Sequence, residues 1–585
     1  MSVVPIDLAG EPRKPEPADA AQRVAALDTT SSWIVEAPAG SGKTGLLIQR
    51  YLKLLLDPGV VSPAQVLAIT FTIKATEEIR ARILAALMSA AAHQSAAAHQ
   101  SGRQTFERKT MELASQVLQR DAELGWDLLR QPAQMKIRTI DSLAAEIARS
   151  LPVLAGGRGD LRPVEDAGPL YRRAAHRVLL QLGGPDRDLH DALTTVLLHR
   201  DANLAGVETL IAAMLQNREQ WGQLVPLSGT ELIEQYLDAK VLPRLNAALE
   251  LNLCQALTHL HGLFPAEDLR QLALFAQRWC NEPGHGDTPN PLLPCREHRS
   301  PPGTGCEHLP YWMGLIRLLV KSDGWRSRLN ANDVGMKLDA EAKAELSAII
   351  LSSKSDTLLQ AIETVRRAPE PPYPEDQWVV AKALFRLLRR ALAELRIVFS
   401  EGGECDFTEI SFAAREALAS ADGPRDLAAT LGTELRHLLM DEMQDTSASQ
   451  YDLLQRLTSG WDGHSQTVFL VGDPKQSIYL FREARVELFL HALHTQRLGD
   501  IPLQRVALTS NFRSQATLVQ DFNEVFSQIF SASQNGIGYV DATPELEAEH
   551  HTLTWHRHFH PPPDNKEATA PEQQQAEQIA ELLRT

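Results

Sequence analysis

The chain has 585 residues, 44% of them hydrophobic and 23% charged, a balance that fits a folded protein of about three or four domains and excludes a disordered one. A net charge of -16 excludes a generally basic surface that coats nucleic acid, so any phosphate-binding track must be local. No apolar run reaches the ~18 residues a membrane helix needs, the N-terminus lacks the apolar core of a signal peptide, and five cysteines make no disulfide framework. A reduced, cytoplasmic protein with no membrane partner is expected.

Residues 1–20 are rich in Pro, Ala and charge without apolar periodicity and read as a flexible leader. From Trp33 the sequence SWIVEAPAGSGKTGLLIQRYLKLLL runs as strand, Gly-rich turn and apolar-faced helix, and VLAITFT at 66–72 reads as a second buried strand. These open a parallel α/β sheet, expected over 21–154. A tandem SAAAHQ, residues 89–94 and 95–100, is too short for a solenoid repeat and is expected to lengthen a helix or a surface connection. Residues 155–404 turn to long amphipathic stretches rich in Leu, Ala, Arg and Gln, a helical insertion broken by a Pro/Gly-rich loop from Asn281 to Gly305. Strand patterns return with ELRHLLMDE and QTVFLVGD, so the sheet is expected to resume over 405–500.

The strongest motif is APAGSGKT: Ala37, Pro38, Ala39, Gly40, Ser41, Gly42, Lys43 and Thr44, a phosphate loop with Ala37 in place of its first Gly. Small residues let backbone N–H groups close around phosphates at a helix N-terminus; Lys43 neutralises the outer phosphates and Thr44 offers a hydroxyl to Mg2+. Such a loop names a broad class of ATP-binding proteins, and a Gly-rich turn without nucleotide is the bland alternative. The apolar run ending in DEMQDTS, residues 441–447, supplies the second half of the chemistry. There Asp441 is placed to hold Mg2+ and Glu442 to act as general base toward the attacking water, where the bland alternative is a solvated acidic turn.

EMQDTS after Asp441 resembles the DE-x-QDTS box of UvrD/Rep-type superfamily 1 DNA helicases. TFTIKATEEIRARI (70–83), TIDSL (139–143), VGDPKQSIYLFREA (471–484) and LTSNFRS (508–514) resemble further boxes of that family in its order. The TIDS and GDPKQSIY forms and the long insertion look most like the RecB/AddA branch, whose members join a helicase to a nuclease. The resemblance covers about 22–160 and 405–515 and implies a RecA-like fold and an ATP-dependent 3′–5′ helicase of repair or recombination. For partners it implies single-stranded or partly duplex DNA and a second helicase/nuclease subunit.

Carried over residue by residue, the resemblance gives Gln22 to the adenine edge, Gln476 to γ-phosphate sensing and Arg513 to an arginine-finger role. Phe71, Tyr479 and Phe481 fall where the family stacks unpaired bases, although a core role is the plain alternative for Phe71. Thr70, Lys74, Thr139, Ser142 and Arg482 match its backbone-phosphate contacts, with a solvated surface the alternative for Lys74 and Arg482. Ile73, Leu480 and Glu483 depart from the usual Asn or Arg, Arg and Gly, which implies altered DNA affinity rather than lost ATP binding. Cys280, His285, Cys295, His298, Cys306 and His308 crowd one loop but lack a clean CxxC pair, so an irregular loop is favoured over zinc. Residues 501–585 are expected to hold an incomplete start of a second RecA-like domain, which leaves a nucleotide-gated DNA-binding module or an inactive fragment as alternatives to a motor.

Overall fold

The computed structural model describes residues 16–95, 105–222, 233–284, 290–296, 298, 300–321, 324–331, 335–419, 427–430, 432–480, 483–530, 538–548 and 571–582. Phe481, Arg482 and His285, and most of the second SAAAHQ copy, lie outside that set. The first copy lies within a helix, Ile73–Ser95. Among the described residues no helix is long and apolar enough to cross a membrane.

Two compact units divide the chain: residues up to Ala167 together with those from Phe399, and Gly168–Val398 between them. The first is built on a six-stranded sheet of β1 (Trp33–Glu36), β2 (Val66–Thr70), β3 (Lys136–Thr139), β4 (His437–Met440), β5 (Thr467–Gly472) and β6 (Gln504–Ala507), in the spatial order β6-β1-β5-β4-β2-β3. Every pair is parallel. The sequences explain the layout: VLAIT, HLLM, WIVE and TVFLVG are apolar enough to be buried along their whole length, as central strands covered on both faces must be. KIRT and QRVA, with charged or polar residues, take the two edges. Gln504–Ala507 thus completes the first sheet, which corrects the expectation that residues from 501 open a second domain.

Helices α1 (Ala20–Ala26), α2 (Lys43–Leu55), α3 (Ile73–Ser95), α4 (Thr105–Leu124), α5 (Ile140–Ser150) and α6 (Ala448–Leu457) belong to this unit. Leu46, Leu47, Tyr51 and Leu52 of α2, Ile79 and Ile83 of α3 and Val117 of α4 form one core with Val35, Ala68 and Phe469 of the sheet. α4 is seated against α2 through a notch: Gln49 Nε2 donates to the Phe106 carbonyl at 3.1 Å, and a Cβ on Gly45 would lie 2.6 Å from the Phe106 ring. After β6, strand β7 (Ser510–Gln515) pairs in parallel with β8 (Thr543–Leu546), separated by α7 (Ala516–Phe530). Arg162–Pro163 pairs in parallel with Glu404–Cys405, so the chain leaves for the inserted unit and returns from it side by side.

Among its described residues the inserted unit is mostly helical, with a short antiparallel pair of Val320–Lys321 with Gly324–Trp325 and an isolated bridge between Gly284 and Met336. Leu257, Phe275, Trp312, Leu346 and Ile362 centre its core. Helix starts are set by side-chain caps, with Asp186, Asn203, Asp339 and Ser355 each accepting a backbone N–H of the first turn. In the Cys/His-rich loop, Cys280 and Cys295 are buried, Cys306 lies 3.0 Å from Cys254 sulfur to sulfur, and His298 stacks on Tyr311. Among the described residues no three His, Cys, Asp or Glu side chains converge as metal ligands.

Two consequences can be checked. His437 of β4 is buried with Nδ1 2.9 Å from Thr467 Oγ1, and burial pushes its pKa down to about 4 from the usual 6.5. A depressed histidine stabilises the fold above its unfolded pKa and loses that contribution as pH falls through the folded value, so the unfolding midpoint should drop between pH 6.5 and about 4. His437→Gln should flatten that slope in urea titrations. Gly45→Ala should cost about 1–3 kcal/mol by overpacking against Phe106, and less when Phe106→Ala is already present. Unfolding of the unsubstituted protein and the three variants of this cycle measures both terms.

Candidate functional site: the carboxyl edge of the sheet

All six strands are parallel, so their carboxyl ends share one edge of the sheet, the place where open α/β sheets bind ligands. β1 delivers the phosphate loop there. Ala37 is buried and its N–H donates to the Gly472 carbonyl of β5 at 2.9 Å, after which Gly40 (φ +80°) and Gly42 (φ +74°) carry the left-handed backbone that only glycine adopts freely. A Cβ on Gly40 would also lie 2.7 Å from Asn511 Oδ1. Gly42 caps α2, which begins at Lys43 with Thr44 next in its first turn.

β4 delivers the acidic pair. Lys43 Nζ donates to both oxygens of Glu442, at 2.5 and 2.6 Å, joining the loops after β1 and β4. Glu442 is itself left-handed (φ +56°), a conformation a glutamate holds only where its surroundings impose it. Gln444 locks the next loop onto this pair: its Nε2 donates to Glu442 at 2.8 Å, and its Oε1 accepts the Asp473 N–H at 3.0 Å. Asp473 Oδ2 in turn accepts from Gln476 Nε2 at 2.7 Å. The structure therefore brings Lys43, Glu442 and Gln476 into one continuous polar chain. Ser447, last residue of the acidic box, caps α6 with Gln450 in a reciprocal capping box.

The site holds more negative charge than Lys43 can match. Burial, and then the neighbouring Glu442, push Asp441 up to about 6 and Asp445 likewise to about 6. A divalent cation would relieve this excess, and the donors present, a threonine hydroxyl and a carboxylate, are the hard oxygens that Mg2+ prefers.

The other expected residues divide into two groups. Phe71, after β2, and Tyr479, after β5, pack ring to ring with centroids 4.7 Å apart, beside Ile73, Ile478 and Leu480, which are 72%, 70% and 78% exposed. Lys74 and Ser142 are also exposed. Thr70 is buried, and its hydroxyl is engaged with Thr76 Oγ1 at 2.5 Å and the Thr72 carbonyl, so it shapes the turn after β2. Thr139 caps α5 by accepting the Ser142 N–H. Glu483 has a left-handed backbone (φ +62°), which accounts for the Gly common at that place in the resembled box. Arg513 is exposed on β7, whose neighbour Phe512 donates its N–H to the Gly40 carbonyl at 2.8 Å.

Gln22 is exposed on α1, and the adjacent Arg23, which no motif singles out, is the side chain buried against the phosphate loop. Its partner Asp19 falls in the stretch expected to be a loose leader but is 1% exposed. An Asp and an Arg four residues apart on a short helix just before a phosphate loop were the available signal.

Comparison with known proteins agrees with this geometry. The UvrD/REP helicase N-terminal domain family matches residues 18–496. An ATP-dependent helicase/nuclease subunit from Lachnoclostridium phytofermentans is 24% identical over 540 residues, covering 87% of this chain and 35% of that protein. Its namesake from Staphylococcus aureus is 31% identical over 163 residues, 28% of this chain and 13% of that protein. The chain thus spans about a third or less of the length of these relatives. With a six-stranded parallel sheet bearing the phosphate loop and the family match spanning most of its length, this chain belongs to the UvrD/REP helicase N-terminal domain family.

Proposed function

We propose that the chain carries the ATP-binding half of a DNA-stimulated motor that moves 3′ to 5′ along single-stranded DNA and separates strands in repair or recombination, working with a helicase/nuclease partner. The observation that carries the reading is the bond of Lys43 to both oxygens of Glu442, joining the ends of β1 and β4 across the end of β5 between them, beside the buried Asp441. In this reading Lys43 exchanges Glu442 for the outer phosphates of ATP, which frees the Glu442 carboxylate to take a proton from the attacking water. Gln476, tied to Asp473, and Asp473, tied through Gln444 to Glu442, report that exchange to the loop that carries Tyr479. Thr44 and Asp441 hold Mg2+, which supplies charge neutralisation at the phosphates. Gln22 meets the adenine, and Arg513 reaches toward the γ-phosphate from β7.

DNA is met by the exposed loops after β2, β3 and β5: Phe71 and Tyr479, with Phe481, stack bases, and Lys74, Ser142 and Arg482 meet phosphates. Thr70 and Thr139 act behind them by holding the loops in shape.

Purified chain should bind ATP and turn it over faster with single-stranded DNA. Lys43→Ala and Glu442→Gln should each lower kcat at least about 100-fold. ATP binding without DNA-stimulated turnover would favour a nucleotide-gated binding module instead, and no ATP binding would sink both readings. Phe71→Ala and Tyr479→Ala should each weaken a fluorescent oligothymidylate about tenfold while the Kd for ATP stays put, as titrations of each ligand would show.

A further inference from the structure

Asp19 receives four hydrogen bonds. Arg23 donates to it through Nε at 2.6 Å and Nη2 at 2.9 Å, and the backbone N–H groups of Thr509 and Ser510, at the entry to β7, donate at 3.0 and 3.1 Å. Burial alone would raise this carboxyl, but the Arg23 and backbone donors hold it below the usual carboxylate range, so the ion pair persists into acid. Arg23 Nη2 also donates to the Ser41 carbonyl at 2.6 Å, and the guanidinium lies over the Phe512 ring at 5.1 Å. Phe512 donates its N–H to the Gly40 carbonyl, and Asn511 Nδ2 donates to the Ala39 carbonyl at 3.3 Å. One buried ion pair thus touches both the phosphate loop and the strand that carries Arg513.

Two atoms of this cluster are left over. Among the described residues Arg23 Nη1 and Ser41 Oγ are buried without a hydrogen-bond partner, and a Cβ on Gly42 would lie 3.7 Å from that Nη1. Leaving such donors and acceptors unpaired is costly, and a buried ion pair is seldom the most stabilising way to fill a core. A loop movement that joins the two atoms would break no existing bond at either.

We propose that Arg23, held by Asp19, is a positioning residue that grips the phosphate loop by the Ser41 carbonyl and sets it in register with β7, so that nucleotide arriving at the loop tightens the strand bearing Arg513. The proposal rests on the reading of residues 37–44 as a nucleotide site. Arginine suits the task because its planar fork serves Asp19 and Ser41 at once, which a lysine point charge does not.

The test is hydrogen exchange of residues 509–515 in the full chain with and without Mg2+ and the fluorescent probe mant-ATP, with the probe's Kd from titration. In wild type, nucleotide should slow exchange across 509–515. Arg23→Ala should weaken the probe about tenfold, the loss of one charge-assisted bond. Arg23→Lys and Asp19→Asn should bind it within about threefold of wild type while 509–515 no longer slow. These two conservative variants serve if Arg23→Ala does not fold. Wild-type binding with no slowing at 509–515, or slowing preserved in all variants, overturns the proposal and leaves Asp19 and Arg23 a purely structural pair. Failure of wild type to bind mant-ATP overturns the nucleotide reading itself, and the proposal falls with it.

Discussion

The bond between Lys43 and Glu442 joins residues 399 positions apart, and the rest of the site depends on it. It exists because β1 and β4 flank β5 in a parallel sheet, which puts every strand's carboxyl end on the same edge. That order depends in turn on strands apolar enough to be covered on both faces. β5 is the hinge of the arrangement: Gly472, at its end, accepts from the phosphate loop, while the following Asp473 donates its N–H to Gln444 of the acidic loop. Even the space is shared, since a Cβ on Gly472 would lie 2.8 Å from Gln444 Oε1.

The same edge carries the half-buried Phe71 and Tyr479 and the exposed aliphatic side chains beside them. They sit on the loops that directly follow β2 and β5, and β5 is the strand next to β1, which carries the phosphate loop. The face they form is apolar more than basic, as the chain's acidic balance foretold. Stacking is indifferent to base identity, and such a surface suits a ligand held by its bases.

Much of this was legible in the sequence. The phosphate loop, the acidic box and the apolar strands bounding them announce a parallel α/β sheet because glycine spacing and carboxylate placement answer to chemistry that allows few substitutes. Where periodicity is short the reading fails. β6 has only four residues, three of them exposed or half-exposed, and its place beside β1 follows from register that no local pattern encodes. Asp19 was lost in a Pro- and Ala-rich leader because its importance lies in partners near residue 509. Thr70 and Thr139 match a family motif, yet the Thr70 hydroxyl is engaged within its turn and that of Thr139 accepts a helix-cap bond, uses that a motif match does not separate from ligand contact.

The parallel pairing of Arg162–Pro163 with Glu404–Cys405 brings the two ends of the inserted segment next to each other at the first unit. A segment whose ends meet can lengthen, shorten or be exchanged without moving the strands that present Lys43 and Asp441. Inheritance can therefore act on the two parts at different rates: the sheet that carries the phosphate loop and the acidic box is bound by its geometry, while the insert is freer to change its surface.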